Sequence, residues 1–202
     1  AEGWRAGGDS GASAGFLGAS DDSMANLLAD LVREAKVTTH RAVFAIPATA
    51  SFLTVIALPL LDDSEIAAAV PFEAKKYIPM PINDVALDWE LVGRNEQERR
   101  MDVLLAAVPA ELIAKYQRVA DLAKLRPEAM EIESFSLARS LLMGDRGVSA
   151  IINWGAIVTT LSIVDGGRIR ANHNFGRGAF EITTALAQTL GVNLERAEAL
   201  KR

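Results

Sequence analysis

The sequence predicts a mixed α/β protein, because segments with the two-residue alternation of strands are interleaved with segments that have helical spacing. Residues 85–91 alternate apolar and acidic side chains, as a half-buried strand does. Residues 23–35 instead place apolar side chains at helical intervals after the acidic pair Asp21 and Asp22, which suits a helix N-terminus. Strands and helices therefore recur along the same chain.

The N-terminal half continues with two apolar runs, 41–47 and 51–58. Both contain β-branched and aromatic residues and are separated by a proline and small residues, so we predict two buried strands in different sheets. A helix at 61–77 follows, with apolar side chains at helical intervals. Pro71 lies inside this helix and predicts a kink, because proline lacks the N–H that the helix ladder needs.

The middle of the chain predicts two strands and a helix. Strand 85–91 is followed by a charged turn and by the more uniformly apolar strand 101–108. Pro109 fits the first turn of the next helix, whose apolar stripe extends to Ala123. From residue 51 onward the order is therefore strand, helix, strand, strand, helix.

The C-terminal part predicts four short strands and three helices. Gly166 and Gly167 supply the positive φ angles that a tight hairpin between the last two strands requires. Gly191 separates the final two helices and suits a helix C-terminus. The strands are 129–132, 148–153, 157–164 and 168–175, and the helices are 134–143, 179–190 and 194–202.

Composition narrows the function. The 202 residues carry 21 Lys and Arg against 26 Asp and Glu, so a formal charge of −5 offers no broad cationic surface for nucleic acid. Cysteine is absent, which fits a reducing compartment and excludes thiolate metal sites. The longest apolar run, 52–61, is too short to cross a bilayer. Residues 1–22 are rich in small residues and are expected to be a flexible segment.

Two weak motifs in the sequence have simpler explanations than catalysis or metal binding. Residues 11–15 match the G-x-S-x-G pattern of a hydrolase elbow, but no buried strand precedes them and no helix follows directly, so the match reflects linker composition. His40 and His173 are far apart in sequence and have no carboxylate at metal-ligand spacing. We therefore predict no catalytic residue and no metal site.

The segment around Asn153 is more informative. A strand, a turn at Gly155 and a second strand containing Thr159 and Thr160 can present backbone N–H groups and hydroxyls to a phosphate. The competing interpretation is an ordinary β-hairpin, since such turns are common.

Three stretches stand out together for their order and spacing: Glu73-Ala74-Lys75-Lys76-Tyr77-Ile78-Pro79-Met80-Pro81 leading to Val85-Ala86-Leu87-Asp88-Trp89, the Asn153 turn, and Ala197-Glu198-Ala199-Leu200-Lys201-Arg202. Together they resemble the PilM family of type IV pilus assembly proteins. The resemblance runs from about Met24 to the end of the chain. The first stretch is the most specific, since the related cell-division protein FtsA differs there.

The resemblance implies a fold of the FtsA, actin and Hsp70 superfamily. This is a partial actin-like (ribonuclease H-like) core with an inserted small α/β subdomain of the FtsA and PilM type. The first core subdomain would comprise 23–50 and 127–147, the insert 51–126, and the start of the second core subdomain 148–202. Relative to the family, the first phosphate hairpin and the C-terminal part are expected to be missing from this chain.

The resemblance also implies a nucleotide site. Asn153, Gly155, Thr159 and Thr160 would form the second phosphate loop. The remaining positions that match the family's nucleotide side are Gly178, Glu198 and Lys201. The family usually has Asp at position 153, and an amide cannot supply the charge that holds a magnesium-water shell, so hydrolysis should be weak. ATP and magnesium are expected in the full-length parent, with none held tightly by this chain.

The implied function is that of a cytoplasmic scaffold that binds the N-terminal tail of a PilN-type membrane protein and contacts other pilus motor and platform proteins. It would lie peripheral to the inner membrane through these partners. One alternative is an ATPase or sugar-kinase relative in which Glu133 positions a water molecule. Another is an FtsA-like division protein that forms filaments on membranes.

Overall fold

The computed structural model describes residues 18–202, so the G-x-S-x-G pattern lies outside it. The described helices are α1 (Asp21–Glu34), α2 (Asp63–Ala74), α3 (Ala110–Leu122), α4 (Glu133–Leu142), α5 (Ala179–Leu190) and α6 (Leu194–Lys201). The strands are β1 (Arg41–Ile46), β2 (Phe52–Pro59), β3 (Val85–Asn95), β4 (Arg100–Pro109), β5 (Arg126–Ile132), β6 (Ser149–Trp154), β7 (Thr159–Asp165) and β8 (Arg168–Phe175). Short 3-10 turns cover Ala48–Ala50 and Ile82–Asp84. None of the helices in this range is both long and apolar enough to cross a membrane.

Most elements lie where the sequence predicts them, and the differences have local causes. Helix α2 passes through Pro71 but ends at Ala74, because the next N–H groups bond to carbonyls three residues back and tighten the chain into a turn. Strand β3 extends past its predicted end, with a register shift between Leu91 and Gly93. Strand β5 begins three residues early, where the Arg126 N–H bonds to the His40 carbonyl at 2.6 Å.

The strands form three separate sheets. Strands β1 and β5 pair in parallel, although 79 residues, 47–125, separate them along the chain. That intervening stretch contains the antiparallel sheet β2-β4-β3, and the third sheet is the antiparallel β6-β7-β8. The prediction that 41–47 and 51–58 belong to different sheets is confirmed. The subdomain boundaries drawn above stay a prediction.

Strand β4, at the centre of the sheet β2-β4-β3, is largely buried on both faces, whereas alternate residues of the edge strand β3 are exposed. Alternate β4 residues such as Met101 and Leu105 are fully buried against Ile66 and Val70 of α2. Residues of the opposite face, including Leu104, pack against the β6-β7-β8 sheet and α4. Two sheets and a helix thus stack as layers around shared apolar cores. This stacking brings the beginning of β2 close to the end of β8.

Candidate functional site

The turn between β6 and β7 and the start of α5 are packed in direct contact. A Cβ atom at Gly178 would lie 2.6 Å from the carbonyl carbon and oxygen of Ala156 and from the Gly155 oxygen. A Cβ atom at Gly155 would lie 2.7 Å from the Val158 oxygen. No side chain fits at such distances, so glycine is required at both positions by close backbone approach.

Backbone hydrogen bonds hold this contact together. The Ala179 N–H donates to the Gly155 oxygen at 2.9 Å, and the Phe180 N–H donates to the Ala156 oxygen at 2.8 Å. The Gly155 N–H donates to the Val158 oxygen at 3.0 Å. These N–H groups at the turn and the helix N-terminus are therefore already bonded within the protein. As a cradle for a nucleotide phosphate, this donor set fits poorly.

Asn153 and Thr160 occupy opposite positions of the β6-β7 ladder, and Asn174 of β8 lies opposite Thr160 on its other side. The buried Thr160 hydroxyl donates to Asn174 Oδ1 at 2.9 Å. Thr159 points to the other face of the sheet, where its hydroxyl donates to the Arg177 carbonyl at 2.8 Å. The two predicted threonines are thus separated, and each already donates a hydrogen bond within the protein.

Glu198 and Lys201 form an ion pair of 2.7 Å on α6. The hydroxyl of Thr183, a buried residue of α5, donates to Glu198 at 2.7 Å and accepts from Lys201 at 2.8 Å. The hydrogen bond from Lys201, followed by that from Thr183, lowers the pKa of Glu198 below its ordinary value. Lys201 also donates to the Ala179 carbonyl at 3.3 Å, so this cluster lies beside the β6-β7 turn.

The predicted nucleotide residues are therefore brought into one region, but most of their polar groups already make hydrogen bonds within the protein. The same holds for Glu133, the candidate acid of the enzyme alternative, whose Oε1 accepts the Ala48 N–H at 3.0 Å. Among the described residues, no group of three or more His, Asp or Glu side chains could hold a metal ion. The assignment of nucleotide-binding residues stays a prediction.

A narrow apolar slot lies where β1 passes into the β2-β4-β3 sheet, and we call it the junction slot. One wall is residues 50–51 of the turn between β1 and β2, and the other is residues 78–80, which follow α2. The floor consists of Phe52, Val85, Ala107 and Pro109, which lie at one end of the sheet. The slot has a volume of about 10 Å³, room for roughly one water molecule.

A larger and more polar cleft, of about 470 Å³, lies between β3, α4 and the β7-β8 hairpin. Its arginines are mostly paired. Arg168 bonds to Glu90 at 2.8 Å, and Arg139 makes two bonds to Glu131, which lower the pKa of that carboxyl. The lining of the cleft is therefore more polar than that of the junction slot.

Sequence reasoning did not identify the junction slot, although it singled out the segment Ile78-Pro79-Met80 that forms one wall. The other wall and the floor come from positions that are distant in sequence. Only the fold brings them together. The one signal in the sequence was the segment Ile78-Pro79-Met80, which belongs to the stretch most specific to the family.

Comparison with known proteins supplies the family. Residues 18–202 match the profile of the family described as type IV pilus assembly protein PilM. A solved PilM–PilN type IV pilus biogenesis complex is similar at 26% identity with a TM-score of 0.74, over 90% of this chain and 56% of that chain. The cytoplasmic domain of EpsL, an inner-membrane component of the Vibrio cholerae type II secretion system, is 11% identical with a TM-score of 0.57, over 84% of this chain and 63% of that one.

The EpsL likeness supports the fold alone, whereas the PilM match extends to sequence. The chain spans a little over half the length of the PilM chain that it matches. Its mixed helices and sheets have a partial α/β actin-like fold. The family match covers nearly the whole of the chain, and on that evidence the chain belongs to the PilM family of type IV pilus assembly proteins.

Proposed function

We propose that this chain is the part of a pilus-assembly scaffold that docks the N-terminal cytoplasmic tail of a PilN-type membrane protein in the junction slot. The similar solved structure is a PilM–PilN complex, which supports a partner of this class. The observation that carries the assignment to the slot is its mainly apolar lining, set between residues 50–51 and the segment Ile78-Pro79-Met80. This surface suits apolar tail residues.

The slot must widen to admit a side chain, because its present volume accommodates about one water molecule. The proposal places this movement in the wall at 78–80. Two prolines, Pro79 and Pro81, remove N–H groups from this connection and limit the hydrogen bonds that could fix it. One apolar side chain buried in the opened slot contributes about 1.5–3 kcal/mol, from which the cost of ordering the tail is subtracted.

In this proposal the protein is a scaffold and not an efficient enzyme. The Glu133 carboxylate accepts a backbone N–H, the Gly155 N–H donates to the Val158 carbonyl, and the first two N–H groups of α5 donate to the Gly155 and Ala156 carbonyls. Nucleotide binding, with ATP and magnesium, is assigned to the full-length parent. Docking of the tail would hold the protein on the cytoplasmic side of the inner membrane, next to other motor and platform components.

Calorimetric titration with a synthetic tail peptide from the PilN-type protein of the same genome tests the proposal. Ala50→Trp places an indole in the slot wall and should weaken binding about tenfold or more, since one buried anchor is lost. Ala68→Trp is the matched control, because Ala68 is exposed on the outer face of α2. It should change the Kd less than about twofold.

Two results count against the proposal. One is the absence of binding by the unaltered chain under conditions in which a full-length PilM-type protein binds the same peptide. The other is equal affinity of the Ala50→Trp variant and the unaltered chain. Circular dichroism of both tryptophan variants establishes that each is folded before its affinity is compared.

A further inference from the structure

We propose that Asn174 is a positioning residue for the junction slot, holding its buried wall in place from the neighbouring sheet. The side-chain amide Nδ2 of Asn174, near the end of β8, donates to the Ala48 carbonyl at 3.0 Å. Ala48 begins the 3-10 turn that leads into the slot wall at residues 50–51. This inference rests on the proposed function, since the slot matters as the site of tail docking.

The orientation of the Asn174 amide is determined by its two neighbours. A carbonyl oxygen can only accept, so the group facing Ala48 must be the NH₂ of the amide. The amide oxygen then faces Thr160, whose hydroxyl donates to it at 2.9 Å. Thr160 thus orients Asn174, and Asn174 in turn holds Ala48.

The turn at Ala48 is fixed from several sides. Its N–H donates to Glu133, its side chain is buried, and its carbonyl also accepts the Ser51 hydroxyl at 3.1 Å. Without Asn174, that carbonyl would keep only partners within the turn itself, at Ser51. The Asn174 bond is therefore what ties the slot wall to the β6-β7-β8 sheet.

A fixed wall at 50–51 favours docking, because binding of the tail then costs conformational entropy on only one side of the slot. In the proposed docking the opposite wall at 78–80 moves to admit the tail, so a loosened wall at 50–51 would add a second ordering cost to binding. Removal of the Asn174 amide should therefore weaken tail binding, mainly through faster dissociation.

The strand offers a matched control in Asn172, two residues earlier on the same face and also half-buried. Asn172 Oδ1 accepts hydrogen bonds from the hydroxyls of Ser134 at 3.0 Å and Ser162 at 2.7 Å. It makes the same number of side-chain hydrogen bonds as Asn174 but none to the turn at Ala48. Loss of Asn172 should cost stability without loosening the slot.

The experiment compares Asn174→Ala, Asn174→Asp and Asn172→Ala. Asn174→Ala should raise the Kd of the tail peptide about threefold to tenfold, the effect of one lost hydrogen bond. Asn174→Asp should raise it further, because a carboxylate would face the Ala48 carbonyl with no donor. Asn172→Ala should leave the Kd within about twofold while lowering the urea midpoint similarly to Asn174→Ala.

Hydrogen exchange supplies a readout that does not need the peptide. The Ala50 and Ser51 N–H groups bond within the turn at 3.0 and 3.3 Å, and their exchange should accelerate in Asn174→Ala but not in Asn172→Ala. If the unaltered chain binds no tail, the proposed function fails while this comparison still tests Asn174. Equal exchange in the two alanine variants, or unweakened binding by Asn174→Asp, would overturn the inference.

Discussion

The substitution Gly178→Ala tests the close packing between the β6-β7 turn and the start of α5. The new Cβ would lie 2.6 Å from three backbone atoms, the carbon and oxygen of Ala156 and the oxygen of Gly155. The backbone angle φ of −149° at Gly178 is accessible to alanine, so the cost comes from overlap and not from the dihedral angle. Because backbone atoms cannot rotate away, either the turn or α5 must move.

The magnitude follows from the two ways of relieving this overlap. If the turn and α5 stay within hydrogen-bonding distance, the remaining overlap costs about 1–3 kcal/mol. If they move apart, the bonds from the Ala179 and Phe180 N–H groups weaken, and each is worth about 0.5–1.5 kcal/mol. These costs are alternatives, so we expect a loss of about 1–3 kcal/mol in the free energy of unfolding.

Urea unfolding followed by circular dichroism measures this loss, and Gly176→Ala is the control. A Cβ at Gly176 meets no atom within 4 Å, and the residue lies only two positions from Gly178. Both substitutions reduce the entropy of the unfolded chain by a similar amount, so this effect cancels in the comparison. Equal stability of the two variants would refute the close contact between the turn and α5.

Three further predictions follow from the packing and the ion pairs. Leu105→Ala should cost about 2–5 kcal/mol in urea unfolding because Leu105 is fully buried, whereas Leu122→Ala, at a half-exposed position, should cost less than about 1 kcal/mol. In NMR titrations, Lys201→Met should raise the pKa of Glu198 more than Thr183→Val does, because the Lys201 bond is the larger cause of its lowering. The pKa of Glu198 is lower in the folded state than in the unfolded state, so the ionised carboxylate stabilises the fold at pH values above the ordinary Glu pKa of 4.5. This contribution is lost as the pH falls through the lowered pKa. Acid unfolding of Glu198→Gln should therefore lack this component; an unchanged acid transition would contradict the assignment.

Much of the fold could be predicted because the signals are local. The alternation in 85–91 and the glycine pair at 166–167 each depend on a few adjacent residues, and both elements are present. The predicted boundaries were wrong where contacts between segments distant in sequence determine the extent of a strand. Strand β5 includes Pro127, which does not resemble a strand residue, but pairing with β1 extends the strand through it.

The candidate site could be predicted only in part, for a similar reason. Gly155 and Gly178, which the resemblance assigns to a nucleotide site, approach each other closely, and their role in nucleotide binding stays a prediction. The hydrogen bond from Asn174 to Ala48 joins residues 126 positions apart, and no local pattern indicates it. In the sequence, Asn172 and Asn174 of β8 cannot be told apart from ordinary polar residues of a strand, because some of their hydrogen-bond partners lie far away along the chain.

Photo-cross-linking is the most direct test of docking in the junction slot. A PilN-type tail peptide carrying benzoylphenylalanine at one apolar position is irradiated with the protein, and the adducts are mapped by mass spectrometry. Docking in the slot predicts adducts within residues 50–52 and 78–80, and their loss in Ala50→Trp but not in Ala68→Trp. Adducts confined to the larger cleft, at residues 138–146 or 166–169, would contradict it.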